Sequence, residues 1–327
     1  MTALLGRLAR RWDFVLVVLI VLALVAGSAL SPFFLTLDNL LSQTRDLMVI
    51  GFLALGLVPV VITGEIDLSG EANLAVCAVA LGMLFEQHVN IWLASALAIL
   101  LGAFIGAVNG ALIVVLRLPS LIITLATLIS LRGLAFVLVE ERPIAGFSES
   151  FVALGNQTVG ATPVPQSLIA FFVVALPIWC VLNRTVFGRW LYAIGSNANA
   201  TKLSGVPVDW VRLAVFTFSG AMAGIAAVIL AAHYDSVRAD AAQGAVLNVL
   251  TVVLLGGVSI FGGSGSLGAV MLSLALIGLI QNGMRLADIA AEPQALVIGG
   301  LLIFSVVIPR LLYSYQQRRR GKHAFVT

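Results

Sequence analysis

The sequence has few charged residues. Only 10% of its 327 residues are charged, whereas 61% are hydrophobic. A soluble domain is nearer a quarter charged and half apolar. A chain this apolar has too few polar side chains to cover a water-facing surface, which excludes an ordinary soluble globular protein. We therefore expect its solvent to be lipid.

Lysine, histidine and cysteine are also scarce, and each scarcity excludes a kind of site. The two lysines, Lys202 and Lys322, do not end a G-x-x-x-x-G-K motif, so no ATP-hydrolysing loop is encoded. The three histidines lack H-x-x-x-H spacing, so we expect no metal site. Cys77 and Cys180 lie in apolar runs and indicate inert packing residues rather than a disulfide framework.

The hydrophobic residues occur in runs long enough to cross a membrane, which takes about 20 mostly apolar residues. These runs predict an all-α, polytopic transmembrane helix bundle of about ten spans. The range is eight to ten, because segments next to short glycine-bearing breaks could be half-helices. The predicted spans are 13–30, 46–62, 70–86, 91–116, 119–139, 166–183, 211–232, 245–262, 266–284 and 292–312.

Lysine and arginine are divided unequally between the two sides of this ten-span arrangement. Of the 18, thirteen lie in the N-terminal segment, after the fourth span, in the 184–212 connection and in the C-terminal segment. Four lie on the opposite side, and Arg132 falls inside a span. The positive-inside rule therefore predicts that both termini and the 184–212 connection are cytoplasmic. Basic residues at helix ends fit a lipid bilayer and give no reason to expect nucleic acid as a partner.

One glycine pattern imitates a nucleotide-binding motif. Gly263, Gly265 and Gly268 read G-x-G-x-x-G. Asp288 lies 20 residues after Gly268, the spacing at which a dinucleotide-binding motif has an acidic residue. The flanking segments are membrane-length apolar runs rather than a βαβ unit. The glycines therefore predict a tight cytoplasmic connection between the eighth and ninth spans.

Three carboxylates lie between the second and third predicted spans, at Glu65, Asp67 and Glu71. Carboxylates at membrane depth are costly unless they face water, protein or a partner. The segment fits either a short solvated loop with a helix N-cap at Asp67 or Ser69, or a lining of the transport pathway.

Arg132 is the other residue whose charge is energetically costly to place inside a membrane. We expect it to snorkel toward the membrane interface, or to pair with Glu140 or Glu141 further along the chain. We favour this structural role over contact with a solute.

The connection 183–207 is rich in small residues. Its residues 197–204 predict a short helix that is ended by Gly205 and Pro207. Such a helix has small residues on its outer face and could sit in a groove of a soluble partner. The alternative is an ordinary amphipathic loop.

Four ordered motifs resemble those of one known family. Residues Thr63–Ser69 are similar to T-G-G-I-D-L-S; 106–113 and 118–125 are similar to V-N-G-x-L-I and L-P-x-x-I-x-T-L. Residues 188–205 are similar to a G-R-x-x-Y-A-I-G-x-N…A-x-x-L-S-G coupling loop, and 255–263 to L-G-G-x-S-x-x-G-G. These motifs resemble the permease subunits of bacterial ABC importers for monosaccharides, which include the ribose, xylose, rhamnose and autoinducer uptake systems.

Within this family, residues 281–288 and 238–240 look most like the rhamnose and autoinducer branch. Three positions depart from the usual pattern: Glu65 stands where glycine is usual, Gly70 replaces a more usual valine, and Asn248 stands where aspartate is common. These departures bear on the identity of the solute rather than on the architecture.

The resemblance implies a single permease domain, 1–327, in the bacterial inner membrane. Two identical or similar permeases would surround one pathway for a monosaccharide or sugar-like solute. A separate ATPase would bind ATP and Mg, so this chain would be no enzyme and would hold no cofactor. A periplasmic sugar-binding protein would deliver the solute.

The predicted functional residues form two groups. The loop that couples to the ATPase, about 184–210, contains Gly188, Arg189, Ala193, Gly195, Asn197, Ala200, Lys202, Leu203, Ser204 and Gly205. A neutral sugar needs hydrogen bonds more than charge, and the predicted translocation pathway contains Glu65, Asp67, Ser69, Asn73, Asn109, Thr124 and Asn248.

An ion-coupled secondary transporter of a small polar solute is the alternative. It needs a relay of titratable groups inside the membrane. Glu65, Asp67 and Glu71 could serve, but Arg132 is the only partner that we identify in another span.

Overall fold

The computed structural model describes residues 2–140, 142–160, 162–305 and 307, and their side chains from residue 12 onward. Almost all of the regular structure in these residues is helical. The helices are α1 Thr2–Leu30, α2 Leu37–Ile62, α3 Gly70–Glu86, α4 Ile91–Leu116, α5 Ser120–Val139, α6 Glu149–Asn156, α7 Gln166–Arg184, α8 Val186–Ser196, α9 Ala198–Leu203, α10 Val208–Tyr234, α11 Ala245–Leu255, α12 Leu267–Leu286 and α13 Ala291–Ser305. Two short strands, β1 Ile144–Ala145 and β2 Ser236–Val237, pair antiparallel.

Seven helices in the described part of the chain are long and apolar enough to cross a membrane, which confirms an all-α polytopic fold. They are α1 from Trp12 onward, α2, α4, α5, α7, α10 and α12. The other three predicted spans form shorter helices. They are α3 with 17 residues, α11 with 11, and α13, whose predicted end at 312 lies outside the described residues.

The predicted span 245–262 is wrong in its extent. Helix α11 ends at Leu255, because Gly256 caps it and Gly257 adopts a positive φ of 78° that turns the chain out of the helix. An 11-residue helix is about 16 Å long, roughly half the hydrocarbon thickness of a bilayer. The expectation that a glycine-flanked segment could be a half-helix is therefore met at α11.

Helices α2 and α10 form the centre of the bundle. The most apolar stretch of α2 is 83% buried, whereas that of α1 is 11% buried. Glycines let α4 and α10 approach closely. A Cβ atom on Gly106 would overlap the carbonyl oxygen of Phe216, and one on Gly220 would overlap that of Gly102. Small residues at such crossings are typical of helices packed in membranes.

The loops gather at two opposite ends of the bundle. The α8–α9 end comprises 63–69, 117–119, 185–207 and 256–266, and the strand end comprises 87–90, 140, 142–160, 162–165 and 235–244. At the α8–α9 end, the N–H of Gly263 donates to the carbonyl of Ile62 at 2.9 Å. Gly262, Gly263 and Gly265 all have positive φ, which confirms the predicted tight connection, and Gly268 lies within α12.

Candidate coupling and translocation sites

Helices α8 and α9 form the segment predicted to contact an ATPase. Asn197 precedes α9, and its Oδ1 accepts the backbone N–H of Ala200 at 2.9 Å. Gly205 follows with φ of 85°, a conformation that glycine adopts without strain. The predicted short helix at 197–204 is therefore confirmed as Ala198–Leu203 with its capping residues Asn197 and Ser204, and the predicted Gly205 follows it.

Two of the predicted coupling residues face the protein body. A Cβ atom on Gly188 would overlap the carbonyl oxygens of Val181 and Leu182 at the end of α7. One on Gly195 would overlap the carbonyl oxygen of Ile62 and the backbone nitrogen of Gly263. These glycines let α8 lie directly against the bundle, so their role in this chain is close packing.

The other predicted coupling residues form an exposed surface. It consists of Arg189, Ala193, Asn197, Ala200, Lys202, Leu203, Ser204 and Gly205. Leu203 is 90% exposed at the end of α9, and Trp210 nearby is 72% exposed. The end of α9 therefore presents an apolar side chain beside small residues at the surface of the described chain.

A buried hydrogen-bond network joins the loop before α3 to three other helices. Asp67 Oδ1 accepts the N–H and the Oγ–H of Ser69 at 2.9 and 2.6 Å, and its Oδ2 accepts the hydroxyl of Ser219 at 2.8 Å. Asn109 donates to Ser69 Oγ at 3.0 Å and accepts from Thr127 at 2.7 Å. Asp67 is only 5% exposed, so this network compensates for the cost of burying its carboxylate.

Thr124 and Asn73 are buried in adjacent contacts. The Thr124 hydroxyl lies 2.9 Å from the carbonyl of Ser120 and 3.2 Å from that of Ile66. The Asn73 side chain donates to the carbonyl of Gly102 at 3.1 Å. Both side chains therefore bond to protein groups within a single copy of the chain.

The structure thus brings together five of the seven predicted pathway residues, namely Asp67, Ser69, Asn73, Asn109 and Thr124. Asn248 is half-buried on α11 and does not join this network within the described part of the chain. Sequence reasoning missed Ser219 and Thr127, because a single hydroxyl in an apolar span gives no distinctive signal.

The expected partner of Arg132 is wrong. Its guanidinium lies 3.2 Å from Glu71 Oε1 and donates to the carbonyls of Ala239 and Ala241 at 3.0 and 3.1 Å. Glu140 follows the end of α5 with a positive φ of 54°, so the chain leaves the helix there. The other expected partner, Glu141, lies outside the described residues.

Glu71 also binds the start of α11. Its Oε2 accepts the backbone N–H of Val246, the second residue of that helix, at 2.9 Å. A carboxylate at this position satisfies a free N–H and interacts favourably with the helix dipole. Arg132 and Glu71 therefore join α5, α3, the 238–241 loop and α11.

The 238–241 loop contains its own ion pair at the strand end. The Arg238 side chain donates to both carboxylate oxygens of Asp240 at 2.9 and 3.2 Å. This contact holds the pKa of the Asp240 carboxyl below its ordinary value. These residues lie in the segment that resembles the rhamnose and autoinducer branch. They belong to the same loop as Ala239 and Ala241, whose carbonyls accept hydrogen bonds from Arg132.

Glu65 is paired with an arginine from another helix. Its Oε1 lies 2.9 Å from Nε of Arg212, near the start of α10, and its side chain is 13% exposed. The sequence motif did not predict this partner, which is more than a hundred residues away. The carboxylate at position 65 is therefore neutralised within the chain.

A second polar cluster at the strand end was not predicted. Asp46 of α2 lies 3.0 Å from His233 Nε2 and 2.7 Å from Arg285 Nη1, and His233 Nδ1 lies 3.1 Å from Asn156 Oδ1. These contacts join α2, α10, α12 and α6. The expectation that Arg132 is the only partner of the three carboxylates in another span is also wrong, because Glu65 pairs with Arg212 of the predicted span 211–232. No group of three His, Cys, Asp or Glu residues suited to a metal occurs in the described ranges.

Comparison with known proteins identifies the family. Residues 39–306 match the family described as "Branched-chain amino acid transport system / permease component". The chain is 35% identical over 307 residues to the autoinducer 2 import system permease protein LsrD of Escherichia coli O9:H4 (strain HS) and to that of Shigella flexneri, covering 92% of each chain. It is 34% identical to LsrD of Escherichia coli O157:H7, with the same coverage. No solved structure matches it.

The family match covers most of the chain and includes all four motifs on which the resemblance rests. The matched proteins are permeases, and the seven membrane-length helices suit that role. The chain belongs to this family of transport permeases and is a multi-pass inner-membrane permease subunit of an ABC importer.

Proposed function

We propose that this permease forms the pathway for a monosaccharide or sugar-like solute. The observation that supports this most directly is the similarity to LsrD, whose name describes import of autoinducer 2. The buried groups of the predicted pathway are mostly hydroxyls and amides, which suit a neutral solute with many hydroxyls. In this proposal Glu65, Asp67, Ser69, Asn73, Asn109, Thr124 and Asn248 contact the solute or control its passage.

The proposal assigns the energy supply and the delivery of the solute to other chains. A separate ATPase binds ATP and Mg and docks on the exposed surface of α8 and α9, so residues 1–327 form a single permease domain without enzymatic activity. A second copy, or a similar permease, completes the pathway. A periplasmic sugar-binding protein delivers the solute at the strand end.

Reconstituted uptake tests this function. In vesicles that contain the permease, its ATPase and its binding protein, we expect sugar uptake that requires ATP. Vesicles that contain the permease alone should show none, because the chain has no ATP-hydrolysing motif. Uptake by the permease alone under an ion gradient would instead support the ion-coupled transporter, whose relay would include Asp46, His233 and Arg285.

Reporter fusions test the orientation. Fusions within 188–205 and after Arg320 should report the cytoplasm, because the basic residues predominate on that side. A fusion within 150–160, at the strand end, should report the periplasm and serves as the control. A periplasmic signal from either of the first two fusions would contradict the ten-span arrangement with both termini inside.

Replacing Glu65 with glutamine should preserve a measurable part of ATP-driven uptake. The permeases that this sequence resembles usually have glycine at the position of Glu65, so the mechanism that they share does not require a carboxylate at that position. The side chains of Glu65 and Arg212 are 13% and 28% exposed, and a glutamine at position 65 can still accept a hydrogen bond from the guanidinium. A variant that reaches the membrane in normal amounts but shows no uptake would establish an essential charge at position 65.

A further inference from the structure

A polar cavity of about 510 Å³ lies between α9 and the turn that joins α4 to α5. Three cations, two carboxylates and one amide contribute to its wall. They are Arg117, Lys202, Arg212, Glu65, Asp209 and Asn199. The cavity therefore lies directly beside the helix that is proposed to contact the ATPase.

Two of the three cations are already paired. Lys202 Nζ lies 3.0 Å from Asp209 Oδ2, and Arg212 Nε lies 2.9 Å from Glu65 Oε1. Arg117 has no ion pair with any residue that the structure describes. The wall consequently has one net positive charge, and that charge belongs to an exposed arginine at the turn.

The turn beside the cavity is flanked by exposed aliphatic side chains. Val115 is 75% exposed, Leu118 is 42% exposed and Ile122 is 59% exposed. Val115 and Ile122 lie in the adjoining ends of two membrane-length helices, and Leu118 lies in the turn between them. Lipid tails meet headgroups near the ends of membrane-spanning helices. A basic pocket next to an apolar surface at this depth is suited to a lipid with an anionic headgroup.

We propose that this cavity binds the phosphate of an anionic phospholipid, with Arg117 as its principal cation. A guanidinium can bind two phosphate oxygens at once. Asn199 and Lys202 belong to α9, so a phosphate in the cavity links that helix to the α4–α5 turn. The lipid would then stabilise the position of the ATPase-contacting helix, which adds a regulatory ligand to the proposed transport function.

Lipid retention measures this binding. The full-length permease is placed in nanodiscs of equimolar phosphatidylcholine and phosphatidylglycerol, released into detergent, and its bound lipids are counted by native mass spectrometry. Arg117→Ala should retain about fivefold less phosphatidylglycerol, the change expected for one basic residue near a membrane surface. Arg184→Ala is the matched control, because Arg184 is exposed at the same end but lies outside the cavity wall.

A second variant should change retention in the opposite direction. Glu65→Gln removes the carboxylate that neutralises Arg212, so phosphatidylglycerol retention should rise, a result that misfolding would not produce. Equal retention by the wild type, Arg117→Ala and Arg184→Ala, or no rise with Glu65→Gln, would overturn the proposal. Displacement of the lipid by low concentrations of glycerol 3-phosphate would also overturn it, because the ligand would then be a soluble phosphate. Retention that resists glycerol 3-phosphate supports a lipid.

Discussion

Replacing Arg132 with methionine is expected to lower the free energy of unfolding by about 3–5 kcal/mol, the usual effect of removing one partner from a buried ion pair. Glu71 is 6% exposed, and the substitution leaves its carboxylate without the guanidinium 3.2 Å away. The carbonyls of Ala239 and Ala241 also lose a donor. Denaturation of the purified permease in detergent, followed by fluorescence or circular dichroism, measures the change.

Two further variants separate the loss of the pair from the loss of a side chain. The double variant Arg132→Met, Glu71→Gln should recover part of the stability, because no unpaired charge remains and the glutamine can still accept the N–H of Val246. Arg142→Met is the matched control, since the Arg142–Glu86 pair is exposed and should contribute little. If Arg132→Met unfolds like the wild type, the pair does not hold these helices together.

The error about Arg132 shows what local sequence reasoning lacks. Glu140 and Glu141 follow Arg132 closely in the sequence, whereas the observed partner, Glu71, precedes Arg132 by 61 residues. Hydropathy identifies α3 and α5 separately but says nothing about which faces meet. The pairing is a property of helix packing, which depends on shape along the whole length of both helices.

The turns and caps were more accessible to prediction than the polar contacts. Gly205 follows the end of α9, Gly263 and Gly265 lie in the predicted tight connection before α12, and each adopts a positive φ that favours glycine. In contrast, Ser219 and Thr127 bond to Asp67 and Asn109, but hydroxyl residues are common in membrane helices and do not reveal a network. The sequence therefore predicted where the chain turns better than which side chains meet.

The same distinction applies to the predicted coupling residues. The motif selected Gly188 and Gly195 together with Ala200 and Leu203, although the first two pack inward and the last two are exposed. A short motif cannot separate residues that position a helix from residues that touch a partner, because it gives the residue types without showing which side chains are buried. The exposed subset is therefore the part on which a docking experiment should act.

Bulky substitutions at the exposed surface of α9 are expected to weaken association with the ATPase and to reduce uptake together. Ala200→Trp adds a large side chain where a partner would approach closely, and overpacking typically costs about 1–3 kcal/mol. Gly205→Val places a β-branched residue at φ of 85°, which such residues tolerate poorly. Co-purification of the ATPase with each variant and uptake in vesicles are the measurements.

The strand end provides a matched control for the backbone strain in Gly205→Val. Gly146 has a similar φ of 82° and, like Gly205, has open space around its missing Cβ atom. Gly146→Val should therefore strain the chain to a similar extent while leaving recovery of the ATPase normal, because Gly146 lies at the opposite end of the bundle. Neither Ala200 nor Gly205 lies in a membrane-length helix, so both variants should insert normally. Normal ATPase recovery with both Ala200→Trp and Gly205→Val would show that α9 is an ordinary connection, and the ATPase would have to dock elsewhere on the α8–α9 end.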